Sequence, residues 1–102
     1  MWYDYLAYFL GGVFLANGFP HFFNGISGNK FQSPFAKPSG VGESSPLVNV
    51  LWGGGSFFIG YVLIFQVGHF RFGITIDALM VALGGLAASV LLAMHFGRVR
   101  GR

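Results

Sequence analysis

Two histidines and three asparagines are the side chains of this 102-residue sequence best equipped for chemistry. Asn17, His21 and Asn24 are spaced four and three apart, so on an unbroken helix they share one face. Asn49 opens a second apolar run and His95 closes a third. An imidazole can carry a proton, bond a polar headgroup or ligate a metal. As one cluster, Asn17, His21, Asn24, Asn49 and His95 can bind a lipid or quinone headgroup, line the mouth of a polar path, or relay protons. Haem or metal ligation is the weakest of these readings, since two imidazoles fall short of the usual three or four ligands and no motif fixes their geometry. No metal is expected and no cofactor is assigned. The structural alternative is that the amides and imidazoles bond one another and hold the chain together, with His95 simply interfacial.

A second group is His69, Arg71 and Asp77. Asp77 falls in the first turn of the third apolar run, where free amides and the helix dipole favour a carboxylate. His69 or Arg71 can pair with it across a short turn; an outer proton or cation site is the alternative. Asp4 has no inward partner in the sequence and reads as interfacial. There is no HExxH, no phosphate-binding glycine loop and no paired carboxylates. A lipid-active enzyme could use His21 and its neighbours, but no pattern demands one.

The elements that carry these residues are written in the composition. Hydrophobic residues make up 54% of the chain and charged ones 9%, against about 25% charged in soluble domains. Thirteen phenylalanines, 17 glycines and a mean hydropathy of +0.64 are more apolar surface than a chain this short can bury in its own interior. A bilayer removes that requirement. The absence of cysteine excludes disulfides and thiolate chemistry. A net charge of +3 is too small and scattered for nucleic-acid binding.

Apolar runs from Trp2 to Phe19, Leu47 to Val67 and Ile74 to Phe96 predict three transmembrane helices, at about 2–23, 47–67 and 74–96, in a single all-α membrane domain over 1–102. The first run can extend to Phe23 or Ile26, with Pro20 as a kink or stop. Asp4 and the aromatics stand where a signal-peptide cleavage site would, so this run reads as a retained span. Trp2, Tyr3, Tyr5 and Tyr8 resemble an interfacial aromatic belt. Lys30, Lys37, Arg98, Arg100 and Arg102 share one side of a three-span topology, and Arg71 alone takes the other. The positive-inside rule then places the N-terminus outside and the C-terminus in the cytoplasm of an inner or plasma membrane. That orientation puts the histidine–asparagine cluster inside and the His69, Arg71, Asp77 group outside.

The long connection between helices one and two holds Pro34, Pro38, Pro46 and several glycines, which argue against a helix. Phe31 and Phe35 give it apolar anchors, so an ordered loop packed on the bundle is expected. Residues 25–30 read as a turn. Between spans two and three, the link Gly68 to Gly73 is tight and predicts antiparallel neighbours. Asn49, Gly53, Ser56 and Gly60 form one small-residue stripe; Ala78, Ala82, Gly85, Ser89 and Ala93 form another. The two are expected to mate. Span one offers only Ala7, Gly11 and Gly18, a poorer stripe. The triplet Gly53–Gly55 leaves a further face open for span one or another subunit.

Leu47 to Gly60, LVNVLWGGGSFFIG, resembles the asparagine-containing second helix of the small dual-topology fluoride channels over about a seventh of the chain. That family has four spans and an arginine motif near its first helix, neither of which is present here. The resemblance therefore implies a packed polar helix and carries no function over. Two functions follow from the residues. One is an accessory or scaffolding subunit of a membrane assembly, contacting lipid and a larger membrane-protein partner or further copies of itself. The other is a homo-oligomeric channel or transporter protomer for an ion or small solute, with the inner polar cluster lining its path.

Overall fold

The computed structural model describes residues 1–101 of the chain; Arg102 of the basic tail lies outside them. Three helices dominate: α1 (Trp2–Ile26), α2 (Pro46–Phe65) and α3 (Ile76–Arg100). Each is long and apolar enough to cross a membrane. Two short strands, β1 (Phe31–Gln32) and β2 (Glu43–Ser44), pair antiparallel between α1 and α2, with Phe31 opposite Ser44. This hairpin is an addition to the all-α expectation.

The helix ends have local causes. Helix α1 continues through Pro20 to Ile26. Proline removes one donor in mid-helix, and Asn24 turns its Nδ2 back onto the Pro20 carbonyl at 2.7 Å. Just beyond, Gly28 takes φ +78° and Asn29 N–H bonds the Asn24 carbonyl at 2.8 Å, which closes the helix with the turn expected at 25–30. Helix α2 starts with Ser45 as cap, its Oγ accepting from Val48 N–H at 3.2 Å, and with Pro46 in the first turn. Thr75 does the same for α3, its Oγ1 accepting from Ala78 N–H at 3.1 Å.

Helix α1 is the hub of the bundle, and both α2 and α3 pack on it. The expected mating of spans two and three is thus overturned. Since α2 ends at Phe65 and α3 begins at Ile76, the connection is 66–75, longer than Gly68 to Gly73. That length lets α3 lie against α1. The α1–α2 seam is built from glycines seven apart. Gly11 faces Gly60 and Ile64, Gly18 faces Gly53 and Phe57, and Gly25 faces Pro46 and Val50. A seven-residue step keeps one stripe on one seam along antiparallel helices, and absent side chains let the backbones close in. So Gly53, Ser56 and Gly60 are buried as packing residues, but against α1. Gly54 and Gly55 have nothing within 4 Å of where a Cβ would stand.

The α3 stripe is rotated by one residue from the expected one. Its buried positions are Asp77, Gly84 and Ala88. Ala82, Ser89 and Ala93 are exposed, and Ala78 and Gly85 are half-buried. At the contact with α1, a Cβ on Gly84 would run into the Phe9 carbonyl, and one on Gly12 into the Val81 carbonyl. Toward the hairpin end a groove of about 520 Å³ opens between α1 and α3, bordered by Gly12, Ala16, Gly85, Ser89 and Ala93. The described residues measure 41 × 24 × 21 Å.

Candidate functional site

At the hairpin end the organising residue is Asn49, which is fully buried. It lies in the first turn of α2, directly under the hairpin. Its Nδ2 donates toward the carbonyls of Phe31 (3.1 Å), Ser44 (3.2 Å) and Ser45 (3.1 Å). With the amide nitrogen so placed, Oδ1 is the acceptor for His21, whose Nδ1 lies 2.9 Å away. The ring therefore carries its proton on Nδ1. One carboxamide thus ties α1, α2 and both strands together. The His21 ring is 2% exposed and stands edge-on to Phe31, Trp52 and Phe96, with centroids 5.4, 6.3 and 6.0 Å away.

The other sequence-selected residues at this end are bonded separately. Asn17 Nδ2 donates to Ser56 Oγ at 3.0 Å, a second polar link between α1 and α2. Asn24 bonds only its own helix, as above. His95 Nε2 donates to the Gly40 carbonyl at 2.6 Å and so joins α3 to the hairpin loop. The structure brings His21 and Asn49 into contact, and it holds Asn17, Asn24 and His95 on partners of their own.

Sequence reasoning named Phe31 only as an apolar anchor of the connection, and it missed the contacts of Arg100 and Trp52 here. Phe31 is buried at the centre of the aromatic cluster, 4.7 Å from Phe96. Arg100 stacks over Phe31 at 4.6 Å, donates to Gln32 Oε1 at 2.9 Å and pairs with Glu43 at 3.7 Å. Arg100, read from the sequence only as part of the charge balance, is thus fastened to the hairpin. Trp52 buries its indole N–H with no partner among the described residues. It borders a pocket of about 310 Å³ shared with Asn17, Ala88 and Leu92.

At the opposite end Arg71 holds Asp77 by three bonds. Its Nε and backbone N–H reach Oδ2 at 3.1 and 3.0 Å, and Nη2 reaches Oδ1 at 3.1 Å. Two parallel N–H···O bonds are the preferred fork of guanidinium on carboxylate. Hydrogen bonding to Asp77, then its charge, raises the Arg71 pKa above the ordinary value. Of the two partners left open for Asp77, the structure has Arg71; His69 is exposed and makes no hydrogen bond among the described residues. His69 does border a polar pocket of about 270 Å³ with Asp4, Tyr5, Tyr8, Arg71 and Asp77. Asp4 borders this pocket from the first turn of α1, where it also pairs with the N-terminal ammonium at 3.1 Å. A tyrosine four residues after an aspartate on one helix was the available signal.

Among the described residues no three histidine, aspartate or glutamate side chains gather as a metal site. No protein-family model, no curated protein and no solved structure matches the chain.

Proposed function

We propose that the protein is an integral membrane protein, threaded three times with its N-terminus outside and its hairpin end cytoplasmic, that serves as an accessory or scaffolding subunit of a membrane assembly. The charge pattern supports the orientation. Lys30, Lys37, Arg98 and Arg100 all lie at the hairpin end, while Arg71 at the other end is neutralised by Asp77. On this reading the connection between α1 and α2 is an ordered cytoplasmic platform, braced by Asn49, His95 and Arg100.

The observation that carries the assembly reading is the mismatch on α3. Its most apolar window has mean hydropathy 2.1, the highest of the three helices, yet only 17% of it is buried, against 33% and 28% for α1 and α2. On this uncovered helix, Gly85, Ser89 and Ala93 line the open groove beside α1. In lipid, small residues at such a place let a further helix approach closely. The occupant proposed is a transmembrane helix of a partner subunit. The channel reading gains no comparable support, because Asn17, His21, Asn49 and His95 are spent on bonds that fix the fold.

The chain has no native cysteine, so one introduced thiol reports one position. Ser89→Cys should cross-link in native membranes to one discrete foreign membrane protein, and Leu86→Cys, on the exposed face of α3, should not. The groove-filling variant Ser89→Leu should dissolve the complex in a native-membrane mass measurement. A product of twice the chain mass would assign the groove to a second copy. A protomer mass alone, unchanged by Ser89→Leu, would sink the assembly reading.

A further inference from the structure

The pocket at the Asp77 end contains polar groups the fold does not use. Tyr8 is 2% exposed, yet its hydroxyl makes no hydrogen bond among the described residues. Among the described residues the one sealed side-chain polar atom without a partner is Trp52 Nε1, so the Tyr8 hydroxyl opens onto the pocket it borders. Asp4 gives Oδ2 to the N-terminal ammonium at 3.1 Å. Its other oxygen, Oδ1, turns to the wall formed by Gly68. A Cβ built on Gly68 would lie 2.7 Å from Tyr8 Oη and 3.0 Å from Asp4 Oδ1, so the two oxygens lie side by side against the Gly68 backbone, and both residues border the pocket. Across the pocket are Arg71, whose Nη1 makes no hydrogen bond among the described residues, and exposed His69.

We propose that this pocket binds a phosphoethanolamine-type zwitterion. The primary ammonium donates to Asp4 Oδ1 and Tyr8 Oη, and the phosphate accepts from Arg71 and His69. A group with N–H donors is required because the pocket presents oxygens. A quaternary ammonium has no N–H to donate to these oxygens, and the Tyr8 ring is held in T-shaped contacts with Phe70 at 5.4 Å and Tyr5 at 6.4 Å. At about 270 Å³ the site is headgroup-sized, just below the roughly 300–1,000 Å³ of pockets for drug-sized ligands. The same chemistry occurs on a membrane lipid and on a free amine phosphate. The lipid source rests on the membrane reading above; the soluble one does not.

The test uses the full chain purified in detergent. In native mass spectrometry with an equal mixture of phosphatidylethanolamine and phosphatidylcholine, the ethanolamine lipid should be retained roughly tenfold over the choline lipid, the weight of one hydrogen bond to a charged group. Tyr8→Phe and Asp4→Asn should each erase that preference. A parallel titration with O-phosphoethanolamine, free of any bilayer, separates the sources: saturable binding lost in both variants assigns a soluble zwitterion as well, and lipid-only retention assigns the lipid. Equal retention of both lipids with no binding of the free compound overturns the proposal, as does a preference that survives both variants. If the protein fails to insert into vesicles while the free compound binds, the membrane reading falls and the pocket stands.

Discussion

At the hairpin end, the Trp52 indole apart, buried polar side chains are consumed by the fold: His21 on Asn49, Asn49 on three carbonyls, Asn17 on Ser56, His95 on Gly40. Toward the other end α1 and α3 meet through bare backbone, Gly84 on Phe9 and Gly12 on Val81. There one ion pair suffices for the connection, and a tyrosine hydroxyl and a carboxylate oxygen remain unspent. The difference teaches that polar residues in an apolar helix are not equivalent evidence of function. Where α1 and α3 leave a groove between them, polar bonds through the hairpin replace helix contact. Where α1 and α3 touch by backbone, no polar bond between these two helices is needed. Function is better sought at the end that holds unspent groups.

The strongest attempt to break this comparison is Asn49→Leu. It removes every bond of the carboxamide, orphans His21 Nδ1 and takes one donor each from the carbonyls of Phe31, Ser44 and Ser45, of which Ser45 keeps the backbone N–H of residue 49 at 3.1 Å. At about 1–3 kcal/mol for each buried group left without a partner, with some relaxation, the expected loss is about 2–4 kcal/mol. It should appear as a lowered unfolding midpoint in mild detergent and as fast amide exchange across 31–44. Exchange unchanged from the parent would mean that His95 and Arg100 hold the hairpin without Asn49.

Next in size is Gly84→Ala. The added methyl meets backbone, which cannot rotate away, so α1 and α3 must separate at a cost of about 1–3 kcal/mol. Gly54→Ala is its control. Open space surrounds that position, and helix propensity favours alanine by up to about 1 kcal/mol. Thermal unfolding of the two variants should shift in opposite directions. A shift of the same sign would remove close backbone contact as the device holding the far end.

Much of the helical frame was legible. Three apolar runs of spanning length lead to three helices of that kind, because length and hydropathy are local properties of the chain. Helix pairing was not legible in the same way. Small-residue spacing read at steps of three and four selected the wrong partner for α2 and a face of α3 rotated by one residue. The seven-residue spacing of Gly11, Gly18 and Gly25, matched by Gly53 and Gly60, held the correct answer. The strands were invisible, since two residues per strand carry no periodicity. His21 and Asn49 were reachable because three spans force their ends together. Tyr8 was not, since a tyrosine near an apolar terminus reads equally well as an interfacial anchor.

The smallest expected effect separates the two ends most cleanly. Replacing a polar aromatic by phenylalanine at each end removes hydrogen-bonding atoms and keeps an aromatic ring. At the hairpin end, His21→Phe deletes the donor to Asn49 Oδ1 and leaves that oxygen buried, with an expected loss of about 1 kcal/mol, within the range of interhelical bonds in membrane proteins. At the far end, Tyr8→Phe deletes an oxygen that bonds nothing among the described residues, while the edge contacts to Phe70 and Tyr5 survive. Its unfolding should move by less than about 0.5 kcal/mol in either direction. Both variants are read by the same denaturant titration in detergent, so the contrast does not depend on the absolute scale. If Tyr8→Phe destabilised the protein as much as His21→Phe, the hydroxyl would have a structural partner in solution, and it would be committed to the fold as His21 is.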